Sequence, residues 1–234
     1  MSEKTLSRFQ KKVVLLTNSQ GTSTGVHLEE AYPAQLSRCL AHQVDIHRIS
    51  IGGWSTVNFL EILDDNVIVL RPDIVIVQTG IVECAQRILS EFEKKILRFV
   101  LFGSSLTKWM HQHRASVLRI RQRIGMTTRS LKPSASASHV DAIHQRLRDA
   151  GISCAFIEVL KFSDGGIGLR HPFINDDIDA YNVVLRQYDS ISVDSIVKDL
   201  GARLYQPNSV HFTIEGHKAI ASALAVEVAK RLKC

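Results

Sequence analysis

The chain has 234 residues, 45% hydrophobic and 22% charged, the composition of an ordinary soluble globular protein long enough for one large domain. No apolar run approaches the roughly 20 residues that span a bilayer. The charged first twelve residues, followed by only four apolar ones, predict a first strand rather than a signal peptide. The formal net charge of +6 is uneven: ten of the 29 Lys and Arg lie in residues 94–140, a stretch with no Asp or Glu.

Residues 13–16 (Val-Val-Leu-Leu) run into a polar, glycine-punctuated segment, 17–25, the order expected of a buried parallel strand ending in a loop. Ser19 stands at that carboxyl end, where open α/β sheets gather ligands and catalytic groups, with Gly21 allowing a tight turn. Residues 28–42 carry apolar side chains at helical spacing, with Pro33 near the start. An alternating strand over 44–50 is broken by Gly52-Gly53, and a short helix is expected over 57–64. Arg71-Pro72-Asp73 then turns into the strongest strand signal, 74–77, which ends in Gln78-Thr79-Gly80-Ile81-Val82-Glu83.

Helix is expected over 85–102 and again over 106–124, where Trp109, His113, Val117, Ile120 and Ile124 share one face. Residues 127–138 read as loop, 139–150 as a helix closed by Gly151, and 152–160 as a strand. A surface loop over 162–173, a helix over 175–188, a short strand near 191–193 and a helix over 194–200 follow. The last helix starts after Thr213, a residue suited to capping it. Strands alternating with helices, without a hairpin signal or an internal repeat, predict a single three-layer α/β/α domain over 1–234. Its mainly parallel, flavodoxin-like sheet has about five strands, and a basic helical insertion covers about 103–138.

A serine nucleophile needs a base, usually a histidine held by a third group. Of the ten histidines, His211 stands apart. It lies in a loop just before the final helix, three residues after Asn208, whose amide can orient its other ring nitrogen. His217 reads as a helix residue with a structural hydrogen bond. Four scattered cysteines (Cys39, Cys84, Cys154, Cys234) without a C-x-x-C predict free thiols in a reducing compartment. Neither they nor the histidines have the spacing of a zinc site, and no metal or other cofactor is expected.

Ser19 after an apolar strand, Tyr32-Pro33, Gly52-Gly53, Gly80, and Asn208-x-x-His211 with Gly216-His217 together resemble the SGNH hydrolases, the superfamily of GDSL esterases and lipases. The resemblance runs the length of the chain in the right order, although each block is short. Residues 80–87 also look like a subgroup associated with bacterial surface-polysaccharide gene clusters.

The resemblance implies Ser19 as nucleophile, His211 as general base with Asn208 as its orienting partner, and the backbone N–H groups of Ser19 and Gly53 as oxyanion donors. It implies an ester substrate, an O-acylated carbohydrate or a lipid-like ester. Three positions depart from the family pattern. Thr17-Asn18 replaces Gly-Asp before the serine, Val82 stands where an oxyanion-hole asparagine is expected, and Asn208 replaces an aspartate. One lost oxyanion donor lowers turnover about 10²–10³-fold, and an Asp-to-Asn change in a triad about 10⁴-fold. Glu83, Gln20 and Arg87 are candidate auxiliary groups, with Glu83 able to replace the missing carboxylate if it reaches His211.

Other readings stand beside this one. The fold could be kept without chemistry, as a binding or assembly protein in polysaccharide biosynthesis, or the acceptor could be a sugar hydroxyl, making an acyltransferase. The 17–25 loop also fits a flavodoxin-like phosphate cradle, without an obvious aromatic pair for a flavin. Glu83 alone reads most simply as a first-turn helix carboxylate. The basic segment 94–140 is an expected docking region for an anionic membrane surface or an acidic glycan, which would place the protein at the inner face of the membrane. No motif supports specific nucleic-acid binding.

Overall fold

The computed structural model describes residues 11–40, 44–99, 103–126, 133–163, 171–207 and 209–233. Five parallel strands form one sheet: β1 (Lys11–Thr17), β2 (Val44–Ser50), β3 (Ile74–Gln78), β4 (Ser153–Ile157) and β5 (Ser190–Ile191), in spatial order β2-β1-β3-β4-β5. β1 pairs with β2 from Lys11 opposite Val44 to Thr17 opposite Ser50, and with β3 from Val13 opposite Ile74 to Thr17 opposite Gln78. The central strands are apolar throughout because neighbours and helices cover them on every side: Val13, Val14, Leu15, Leu16, Val75, Ile76 and Val77 are fully buried. Each such side chain contributes about 1.5–3 kcal/mol of burial. β2, at the edge, is covered less completely: of its seven residues only Val44 is buried.

The connections place helices on both faces. From β1 the chain passes through α1 (Tyr32–Cys39) to β2 on one side. From β2 it returns through α2 (Thr56–Ile62) to β3 on the other, so two right-handed crossovers in opposite directions put α1 and α2 on opposite faces. α3 (Ile81–Cys84) follows β3 directly, then come α4 (Glu91–Phe99), α5 (Gly103–Gln112), α6 (Arg114–Arg123) and α7 (Pro133–Asp149). α8 (Ile174–Leu185), α9 (Asp194–Leu200) and α10 (Ile214–Leu232) complete the chain. α2, α7 and α8 pack together, and α1 packs on α10. The expected three-layer parallel architecture is the one observed.

Four local expectations differ. The stretch read as one helix over 28–42 is a 3₁₀ turn, Leu28–Glu30, followed by α1, because Pro33 starts a new helix at its first turn. The helix expected over 85–102 begins earlier as the short α3 and restarts at α4. There Ser90 Oγ accepts from the Glu93 N–H at 3.2 Å and Glu93 returns the bond to the Ser90 N–H at 2.7 Å. The 106–124 helix is two helices, α5 and α6, interrupted at His113 (φ −102°, ψ 29°). α7 begins at Pro133, so the part of the expected 127–138 loop within the described residues is helical. Proline suits a first helical position, and the alternating Ala and Ser residues behind it do not oppose a helix.

Candidate active site

β1, β2 and β3 deliver three short loops to the same end of the sheet. Ser19 opens a 3₁₀ turn, Ser19–Gly21, capped by Asn18, whose Oδ1 accepts from the Gln20 N–H at 3.0 Å. Asn18 itself is fully buried. Gly52-Gly53 lies beside this turn: a Cβ placed on Gly52 would sit 3.8 Å from the Ser19 Cβ. Gly53 is exposed and has φ +76°, a left-handed conformation natural to glycine. Gly80 has φ +106°, and a Cβ there would lie 2.5 Å from Val159 and 2.6 Å from Tyr181, so only glycine lets β3 pass into α3 at this point.

The histidine arrives from the other end of the chain. Tyr205 and Phe212 form an antiparallel bridge, with the Gln206 N–H donating to the His211 carbonyl at 2.9 Å. Two glutamines fasten the His211 loop to the serine loop. Gln20 Nε2 donates to the Val210 carbonyl at 2.9 Å, and Gln206 Nε2 donates to the Thr24 carbonyl at 2.9 Å. The neighbour of Ser19 in sequence is thus bonded to the neighbour of His211. Gln20 also ends a buried polar chain: Tyr32 Oη donates to Gln78 Oε1 at 2.8 Å, and Gln78 Nε2 donates to Gln20 Oε1 at 3.4 Å.

His211 is half-buried, and burial lowers its pKa below the usual histidine value. Ser209 Oγ lies 2.9 Å from its Nδ1 and accepts from its backbone N–H at 3.1 Å. Asn208, the residue expected to orient the ring, lies outside the described residues. Ser209 was not singled out by sequence, since a serine two residues before a loop histidine has no distinctive pattern. His217, by contrast, is buried, stacks on Tyr32 with ring centroids 6.0 Å apart, and accepts the Tyr32 N–H through Nδ1 at 3.1 Å.

Glu83 does not supply the missing carboxylate to His211. Its Oε1 accepts from the Thr56 N–H at 2.7 Å and from Thr79 Oγ1 at 3.3 Å, and its Oε2 accepts from the Gly80 N–H at 3.1 Å. These bonds tie the start of α2, three residues after Gly53, to the start of α3, which makes Glu83 a brace for the glycine loop. Val82 is half-buried and packs against the core. Arg87 is exposed in the segment between α3 and α4. Among the described residues no cluster of His, Cys, Asp or Glu could hold a metal ion.

No family model and no curated protein matches the chain by sequence. Solved structures do match over nearly its whole length. A lipase/acylhydrolase from Enterococcus faecalis superposes with TM-score 0.64 at 14% identity, covering 95% of this chain and 97% of that one. The chain has the fold of the SGNH (GDSL) hydrolases. An acetyl xylan esterase gives TM-score 0.63 at 17% identity, with 93% and 99% covered. The psychrotrophic esterase EstA from Pseudoalteromonas sp. gives 0.62 at 14%, with 96% and 100% covered. In this chain the loops carrying Ser19, Gly53 and Gly80 follow β1, β2 and β3 at the carboxyl ends of those strands.

Proposed function

We propose that the protein is a serine ester hydrolase in which Ser19 Oγ attacks an acyl carbonyl and His211 Nε2 takes the serine proton. The observation that carries the reading is the Gln20–Val210 hydrogen bond, which fastens the Ser19 turn to the His211 loop at the carboxyl end of β1. With Nδ1–H donated to Ser209 Oγ, the lone pair of His211 sits on Nε2, the form a general base requires. The oxyanion is held by the backbone N–H groups of Ser19 and Gly53, and Glu83 keeps the second of these loops in place through Thr56. Collapse of the tetrahedral intermediate expels the alcohol, which takes its proton from His211. Water, deprotonated by the same ring, then attacks the acyl-serine and releases the carboxylic acid.

The substrate class we infer is an O-acylated carbohydrate or a lipid-like ester, in keeping with the esterases and lipases that share the fold. A sugar hydroxyl in place of water would make the same site an O-acyltransferase. The second reading, a protein that keeps the fold without the chemistry, is favoured by Val82, an apolar side chain packed on the core where the family places an oxyanion donor. A fluorophosphonate probe separates the two. Labelling of the wild type that disappears in Ser19→Ala supports the enzyme. A wild type that neither labels nor hydrolyses a short acyl ester supports the binding protein.

A further inference from the structure

Twelve large hydrophobic side chains are exposed among the described residues, and seven of them fall between residues 92 and 126: Phe92, Ile96, Leu106, Trp109, Ile120, Ile124 and Met126. They lie on or just after α4, α5 and α6, mostly as neighbours on one helix row: 92 and 96, 106 and 109, 120 and 124. Other side chains of the same helices are packed inward. Leu97, Met110 and Val117 close a small cluster with Ile88 and Leu89, separate from the main core, and Arg121 pairs with Glu93 at 2.8 Å across α6 and α4. The three helices therefore share one packed cluster and leave these seven apolar side chains exposed beside it.

The charge on this layer is mostly positive: its two acidic residues are Glu91 and Glu93 in the first turn of α4, and Glu93 pairs with Arg121. Lys95, Lys108, Arg119 and Arg123 are exposed and make no ion pair among the described residues, and residues 94–126 contain no Asp or Glu. Apolar side chains interleaved with unpaired cations, in a layer where basic residues far outnumber acidic ones, match an anionic lipid surface. The apolar rows enter the acyl boundary while the cations meet phosphates at headgroup level. A second copy of the same face would set cations against cations. Nucleic acid would satisfy the charge but leave five aliphatic side chains (Ile96, Leu106, Ile120, Ile124, Met126) without a base to stack on. No described helix is long and apolar enough to cross a membrane, so the layer would lie on the bilayer.

We propose that α4–α6 form an interfacial docking surface for anionic phospholipid bilayers. The inference is independent of the chemistry at Ser19, and its test does not use activity. Sedimentation with vesicles of phosphatidylcholine alone, or containing 30% phosphatidylglycerol, is measured at 0.1 M and 0.5 M NaCl, with light scattering of the free protein. Binding to the anionic vesicles alone is expected, weakening more than tenfold at high salt. A Lys95→Gln, Lys108→Gln, Arg119→Gln, Arg123→Gln variant should lose at least a hundredfold in affinity. Phe92→Ser, Ile120→Ser, Ile124→Ser should lose binding with its circular dichroism unchanged; the charge variant keeps the test open if this one fails to fold. No binding to anionic vesicles, equal binding to neutral ones, or self-association abolished by the serine variant without vesicle binding would each overturn the proposal.

Discussion

Ser209 Oγ lies 2.9 Å from His211 Nδ1 and also accepts the His211 backbone N–H, so one hydroxyl fixes both the ring and the chain that carries it. It orients the imidazole much as a carboxylate would, but adds no negative charge to stabilise an imidazolium. Ser209→Ala should lower kcat about 10–100-fold with little change in KM, because substrate contacts are untouched while the base loses its alignment. Steady-state hydrolysis of a p-nitrophenyl ester measures this. An unchanged kcat would remove Ser209 from the mechanism.

The same relationship sets a pH profile. Burial lowers the His211 pKa, and none of its observed hydrogen bonds goes to a carboxylate that would raise it. The neutral ring is the active base, so kcat/KM should fall as pH drops through an apparent pKa below 6.5 and stay flat from there towards pH 8. An acid limb centred above 7 would point to a carboxylate against the ring and contradict the assignment.

Gln20 tests whether the two loops depend on each other. Replacing it by leucine removes the bond to the half-buried Val210 carbonyl and leaves the buried Gln78 Nε2 without its partner. A loss of about 1–3 kcal/mol is expected, seen as a Tm lower by roughly 3–8 °C. Turnover should fall by more than tenfold at temperatures where the variant is fully folded, since only the Gln206–Thr24 bond is left to hold the His211 loop to the serine loop. Thermal melts and kinetics on the same preparation separate the two effects.

Much of the placement was legible because buried parallel strands leave a strong trace. The runs 13–16 and 74–77 have no polar interruption, and whatever follows such a strand lies at its carboxyl end, so Ser19, Gly53 and Gly80 could be placed without knowing their neighbours. The bonds that join them were not legible. Gln20 and Gln206 reach backbone carbonyls about 190 and 180 residues away, and a carbonyl has no side-chain identity to read. Glu83 looked free to serve His211 because its partners are two backbone N–H groups and a threonine. The break between α5 and α6 falls at His113, with no proline or glycine to announce it.

His217 links the site's framework to pH. It is buried between Tyr32 and Phe212, accepts the Tyr32 N–H, and has its pKa lowered to about 4, first by burial and then by nearby His211. An unfolded histidine titrates near 6.5, so between about 6.5 and 4 the unfolded chain binds a proton that the folded one refuses. The stability this neutral ring contributes is fully present above pH 6.5 and is lost progressively as pH falls towards 4, a total of about 3 kcal/mol. Urea unfolding at pH 7.0 and 4.5 should show that loss in the wild type. His217→Asn, whose amide oxygen can accept the Tyr32 N–H without titrating, should be less stable at pH 7.0 yet show a shallower fall on acidification. An equal fall in both proteins would place the acid sensitivity in other groups.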